Sequence, residues 1–140
     1  MALDVGRRRI GLAIADTMRA PQGLGALQRK TMREDIARLA NLARERKVEC
    51  FLVGLPLHMN GTEGEMAAFV RTFAEKLAKD TGIAVRYQDE RLSSVEAEER
   101  MKSTGMNLKR MLAAKRGGAV DALAAVILLE DYLRQEVSRP

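Results

Sequence analysis

The stretch Ala2-Leu3-Asp4-Val5-Gly6-Arg7-Arg8-Arg9-Ile10-Gly11-Leu12-Ala13-Ile14-Ala15-Asp16 sets one carboxylate inside an apolar strand, then a glycine turn, three arginines and a second apolar strand. A charge in a strand interior loses free energy on desolvation unless it is paired or holds a cation. Asp4 therefore demands a partner. Glycines allow the backbone to reverse and another group to approach closely, and arginines add positive charge beside the acid. This combination points to metal or phosphate chemistry. Few residues precede Asp4, so a short first strand is expected.

Periodicity places the remaining elements. Ile10 to Ala15 and Gly23 to Gln28 read as two more strands, the second following the Ala20-Pro21-Gln22 bend, so the chain opens as a three-strand meander. Ile36, Leu39, Ala40, Leu42 and Ala43 recur at helical spacing up to about Arg46, with Thr31 as N-cap and Glu34 as its capping-box partner. Val48 to Val53 is a continuous apolar run of the kind covered on both faces, and Gly54 to Thr62 reads as a loop because Pro56 and Asn60-Gly61 break the pattern. Thr62 is expected to cap a helix from Glu63 to Lys79 whose apolar face holds Met66, Phe69, Val70, Phe73, Ala74 and Leu77. Gly82 ends it, Ile83 to Glu90 is a strand, Leu92 to Lys102 reads as a helix, and a final helix runs from about Gly118 to Glu136. Its packed stripe is Ala122, Ala125, Val126, Leu129 and Leu133. Strands that follow helices run parallel to a sheet neighbour. The expected architecture is α/β, a mixed five-stranded sheet flanked by helices, and 140 residues fit one domain spanning 1–140.

Composition narrows the function. A net charge of +5 favours acidic partners. Cys50 is the sole cysteine, which rules out a disulfide within the chain and reads as a buried reduced thiol. No apolar run is long enough to span a bilayer and no signal-peptide pattern opens the sequence, so a cytoplasmic protein without a membrane partner is expected. With no Trp, two Tyr and three Phe, base stacking is a weak expectation beside backbone recognition. The eight Met residues read as adaptable packing, and the sole histidine, His58, as a loop residue without catalytic duty.

Three carboxylates can converge. Parallel strands deliver their C-terminal ends to one sheet edge, where ligands of open α/β sheets bind. The strand ending at Asp89-Glu90 points there, Asp4 lies on the first strand, and Asp121 occupies the first turn of the last helix. The two-residue period puts Glu90 on one face with Arg86 and Gln88, and Asp89 on the other with Val85 and Tyr87. Glu90 is the preferred site residue. Oxygen ligands with one His and one Cys suit Mg²⁺ or Mn²⁺ better than zinc. Two such ions about 3.5–4 Å apart can activate water and stabilise the leaving oxygen of a phosphodiester. Arg8 and Arg9 beside Asp4, and Lys115 and Arg116 within the acid-free stretch 102–118 before Asp121, are candidate phosphate contacts.

The segments Ala2 to Gly6 with Arg9-Ile10-Gly11, Val53 to Leu57 with Asn60 to Gly64, Asp89 to Leu92, and Val120 to Ala125 together resemble the YqgF/RuvX family, in order and across nearly the whole chain. The resemblance implies a ribonuclease H-like fold and a metal-dependent nuclease. The family is described both as Holliday-junction resolvases and as nucleases that mature the 5′ end of the 16S ribosomal RNA precursor. It implies Asp4, Glu90 and Asp121 as metal ligands, with Arg9, Arg91 and the basic stretch before Asp121 on phosphates. His58 departs from a frequent Asn, Ser93-Ser94 from a Thr pair, and Ala122 from a Ser. The acids are intact.

The expected activity is hydrolysis of structured RNA or branched DNA, with 5′-end processing of pre-16S rRNA ahead of junction resolution. Ribosomal precursor particles are expected partners, for a monomer or weak homodimer. A sugar-kinase or actin-like phosphotransferase would also use an acid and glycines on an opening strand pair, but such enzymes close two domains on a nucleotide. A nucleic-acid-binding adaptor that keeps the acids without turnover is the third reading.

Overall fold

Two apolar runs on either side of the Gly6–Arg9 turn open the meander. In a computed structural model, which describes residues 1–16, 20–90 and 119–138 (without the side chains of 119–121 and 136–138), β1 (Ala2–Val5) pairs antiparallel with β2 (Arg9–Ile14), and β2 with β3 (Gln22–Gln28). Helix α1 (Met32–Glu45) starts where Thr31 Oγ1 accepts the Glu34 N–H at 3.1 Å, as a Ser/Thr N-cap does. Strand β4 (Cys50–Leu55), helix α2 (Glu65–Thr81), strand β5 (Ala84–Asp89) and helix α3 (Ala119–Ser138) complete the described elements. Gly82 closes α2 at φ 71°, a left-handed turn that its missing Cβ permits.

The sheet order is β3-β2-β1-β4-β5, with β4 parallel to both β1 and β5. It is the expected mixed five-stranded sheet. The strand period sorts residues onto two faces. Leu3, Val5, Ile10, Leu12, Phe51, Val53 and Leu55 form the main core with α1 and α2, while Ala2, Ala13 and Leu52 pack under Ala125, Leu128 and Leu129 of α3. Strand β4 is thus covered on both sides, which is why its sequence is a continuous apolar run. In α3 the buried stripe is broader than the periodicity suggested, since Ile127 and Leu128 are also fully buried.

Several boundaries differ from the sequence expectation, most by one or two residues. Strand β4 begins at Cys50 and continues through Gly54 and Leu55, which are not in a loop, because β5 pairs with it as far as Leu55↔Asp89. Helix α2 begins at Glu65 with Gly64 as N-cap, so Thr62 does not cap it. The Thr62 N–H and hydroxyl instead donate to Asn60 Oδ1, and Leu57 bridges to Glu63. Glu90 falls just beyond β5. Cys50 is free but only partly buried. The helix expected over Leu92–Lys102 lies outside the described residues.

One buried ion cluster ties these layers together. Asp35, fully buried in α1, accepts from Arg29 Nε at 3.1 Å, Arg38 Nη2 at 2.8 Å and the Lys30 N–H at 2.9 Å. Arg29 also donates to the Gly6 carbonyl at 3.2 Å and stacks on the Phe69 and Phe73 rings of α2. Burial raises the Asp35 pKa, but these hydrogen bonds and the Arg29 charge outweigh it and hold the carboxyl below its ordinary value.

Candidate active site

Strand pairing puts Asp4 between two glycines. It pairs with Gly11 of β2, and on the other side the parallel pair Leu3↔Val53 puts Gly54 of β4 at the next position along. Asp4 shares its face with Ala2, the face that α3 covers. The carboxyl of Glu90 reaches it from β5. The Glu90 N–H donates to the Leu55 carbonyl at 3.3 Å, which turns the chain off β5, and a hydrogen bond then joins the Glu90 and Asp4 side chains. Asp89 belongs to the other face, pairing beside Leu55 of the main core. Arg86, on the Glu90 face, donates to the Tyr132 hydroxyl of α3.

Burial, then the charge of Asp4 and the hydrogen bond between the two carboxyls, with a further contribution from Asp89, push Glu90 up to about 7. Two acids confined in a low-dielectric site cannot both ionise cheaply; a shared proton or a bound cation relieves them. Among the described residues no group of three metal-ligating side chains forms, and these two acids are the pair brought together. Asp121 is the third residue of α3, and its side chain lies outside the described residues. Its helix does pack on the Asp4 face. An all-oxygen pair of this kind fits a hard divalent cation.

Of the candidate phosphate contacts, Arg9 opens β2 on the Asp4 face, two residues before Gly11, and Arg8 is exposed in the preceding turn. Arg29 holds that turn through the Gly6 carbonyl, and Arg7 lies over the Phe69 ring, 5.1 Å from its centroid. Arg91, Lys115 and Arg116 lie outside the described residues. His58 is exposed in the β4–α2 loop, and Met59 beside it is 81 % exposed, unlike a packing methionine.

The family model of RuvX, described as Holliday junction resolvase, matches residues 1–135. The chain belongs to the RuvX family. Among the relatives of this RuvX member, one from Anaeromyxobacter sp. (strain Fw109-5) is 42 % identical over 134 residues, covering 95 % of this chain and 94 % of the relative. Another from Synechococcus sp. (strain ATCC 27144) is 39 % identical over 137 residues, covering 97 % and 89 %. Both carry the name "Putative pre-16S rRNA nuclease". In three dimensions the RuvX chain resembles Thermus thermophilus RuvC, solved in complex with a Holliday junction substrate, at a TM-score of 0.61 and 17 % identity over 99 % of this chain and 96 % of that one. The fold is ribonuclease H-like.

The raised Glu90 pKa has a measurable sign. A carboxyl at about 7 in the folded chain and near 4.5 unfolded binds more protons when folded, so its stabilising effect is complete below about pH 4.5 and is lost as pH rises through 7. The size is on the order of 3 kcal/mol. Asp35 is depressed, so its contribution is lost only at pH below the ordinary carboxylate range and does not offset this window. In metal-free urea titrations the wild-type chain should weaken between pH 5 and pH 8, and Glu90→Gln should flatten that slope. An equal slope in both proteins would refute the assignment.

Proposed function

We propose that this chain is a divalent-metal-dependent nuclease that hydrolyses phosphodiester bonds of structured nucleic acid, with 5′-end processing of the 16S rRNA precursor as its task. The half-buried Asp4–Glu90 pair carries the reading, because two carboxyls held together on one face of a ribonuclease H-like sheet are a costly arrangement with no structural benefit of its own. Asp4, Glu90 and Asp121 would hold Mg²⁺ or Mn²⁺, two ions in the simplest scheme, which supply an activated water and charge stabilisation for the leaving oxygen. Arg8 and Arg9, beside the acids, would take the phosphates flanking the scissile bond, and Arg91, Lys115 and Arg116 would extend that grip. The names of the relatives favour rRNA over a DNA junction. Ribosomal precursor particles in the cytoplasm would be the setting, which agrees with the absence, among the described residues, of any helix able to cross a membrane. A monomer suffices for one cut per substrate.

The family description favours a second reading, resolution of Holliday junctions, which needs two paired sites. One comparison separates the two. Purified protein is incubated with an RNA carrying the 5′ region of the 16S precursor and with a four-way DNA junction, each with Mg²⁺, Mn²⁺ or a chelator. The expected result is metal-dependent cleavage of the RNA with the junction left whole. Cleavage of the junction alone would transfer the assignment to recombination, and binding without cleavage of either would make the chain an adaptor.

A further inference from the structure

The two acids come from strands that are not neighbours. Sheet order β1-β4-β5 puts β4 between Asp4 and the strand that delivers Glu90, and two strand spacings separate their backbones by roughly 9–10 Å. The Glu90 side chain must therefore cross β4 to reach Asp4. It crosses at Gly54, which pairs with Gln88 on β5 and stands beside Asp4 on β1. A Cβ built on Gly54 would collide with Glu90 Oε2 and would stand 2.8 Å from Leu128 Cδ1 of α3. The Glu90 carboxylate thus occupies the volume that any other residue at position 54 would fill, with Leu128 as its lid.

We propose that Gly54 is the positioning residue of the acidic pair: its missing side chain is the seat across which Glu90 reaches Asp4, so it sets the separation of the two carboxylates. The proposal rests on the nuclease reading for its catalytic consequence, but not for the geometry. No positive φ explains a glycine there, since among the described residues the left-handed glycines are Gly25, Gly61 and Gly82. A glycine within a doubly covered strand weakens it and marks a close approach, and here the approaching group is a carboxylate.

Gly54→Ala should push Glu90 off Asp4 at the cost of one methyl group. A displacement of about 1 Å in such a site costs on the order of 100-fold in rate, and disturbance of a group that orients a ligand costs about 10–100-fold in metal affinity. Cleavage by Gly54→Ala should fall about 100-fold in kcat with KM for the nucleic acid nearly unchanged, and Mn²⁺ affinity measured by calorimetry should fall at least about 10-fold. The added methyl also strikes Leu128, so the double variant Gly54→Ala/Leu128→Val removes that second clash and should recover the wild-type melting temperature while keeping both losses. Wild-type Mn²⁺ affinity and cleavage in the folded double variant would overturn the proposal, because Leu128 packing would then account for everything. Failure of the wild-type protein to cleave any nucleic acid would sink the nuclease reading alone. The Mn²⁺ titrations of the wild-type and double-variant proteins would still test the seat.

Discussion

Asp4→Asn should leave a folded protein that does not cleave nucleic acid. The amide preserves the shape and the hydrogen-bonding reach of the side chain between Gly11 and Gly54 but removes the charge that a divalent cation requires. Loss of a metal-ligating charge should lower cleavage by about 1,000-fold or more, a loss of roughly 4 kcal/mol of transition-state stabilisation. Stability should move the other way. Asp4 is one of the groups that push the Glu90 carboxyl up to about 7, so neutralising it relieves Glu90 and should raise the melting temperature of the metal-free protein at pH 8. Added Mn²⁺ should then stabilise the wild-type chain and leave the variant unmoved. Undiminished Mn²⁺-dependent cleavage by folded Asp4→Asn would remove the catalytic assignment.

The largest effect on stability is expected away from the acids. Asp35→Ala strands the Arg29 guanidinium, whose side chain is only 8 % exposed, without its counter-charge. Breaking a buried pair from one side costs about 3–5 kcal/mol, a large part of the total stability of a domain this size. Urea unfolding should show that loss, and an Asp35→Ala chain within about 1 kcal/mol of wild type would mean that Arg29 finds water instead. The cost should reach function as well. Arg29 grips the Gly6 carbonyl, so the turn that carries Arg8 and Arg9 loses its anchor when Arg29 swings out.

Sequence patterns revealed the fold wherever a local signal matched the pairing. The two apolar runs around the Gly6–Arg9 turn, the Thr31 cap, the Gly82 stop and the apolar run of β4 each act over a few residues. The two-residue period groups Glu90 with Arg86 and Gln88 and Asp89 with Val85 and Tyr87, and the pairing of β5 on β4 turns the first set toward the Asp4 face. Pro56 and Asn60-Gly61 make Gly54 read as the start of a loop, whereas parallel pairing with β5 carries the strand through it. A glycine inside an apolar run was the available signal. Asp35 gave none. An acid in the first helical turn beside Glu34 reads as a favourable charge near the helix dipole, and its burial is decided by Arg29 and Arg38, which no spacing rule connects to a site. Thr62 failed as a cap because Asn60, two residues away, offers its hydroxyl and N–H a closer acceptor.

The sheet order also divides the chain by folding distance. Strands β1, β2 and β3 follow one another, so their contacts close short loops, whereas β1 meets β4 only through pairs such as Leu3↔Val53, and β5 joins only after α2 has crossed over. Loop-closure entropy makes such distant pairings slow to form. Asp4 can therefore be built into the local meander with its charge still hydrated. The repulsion between the acids arises only once β4 has joined both β1 and β5, so the strain of the acidic pair falls on the assembled sheet and not on the chain as it begins to fold.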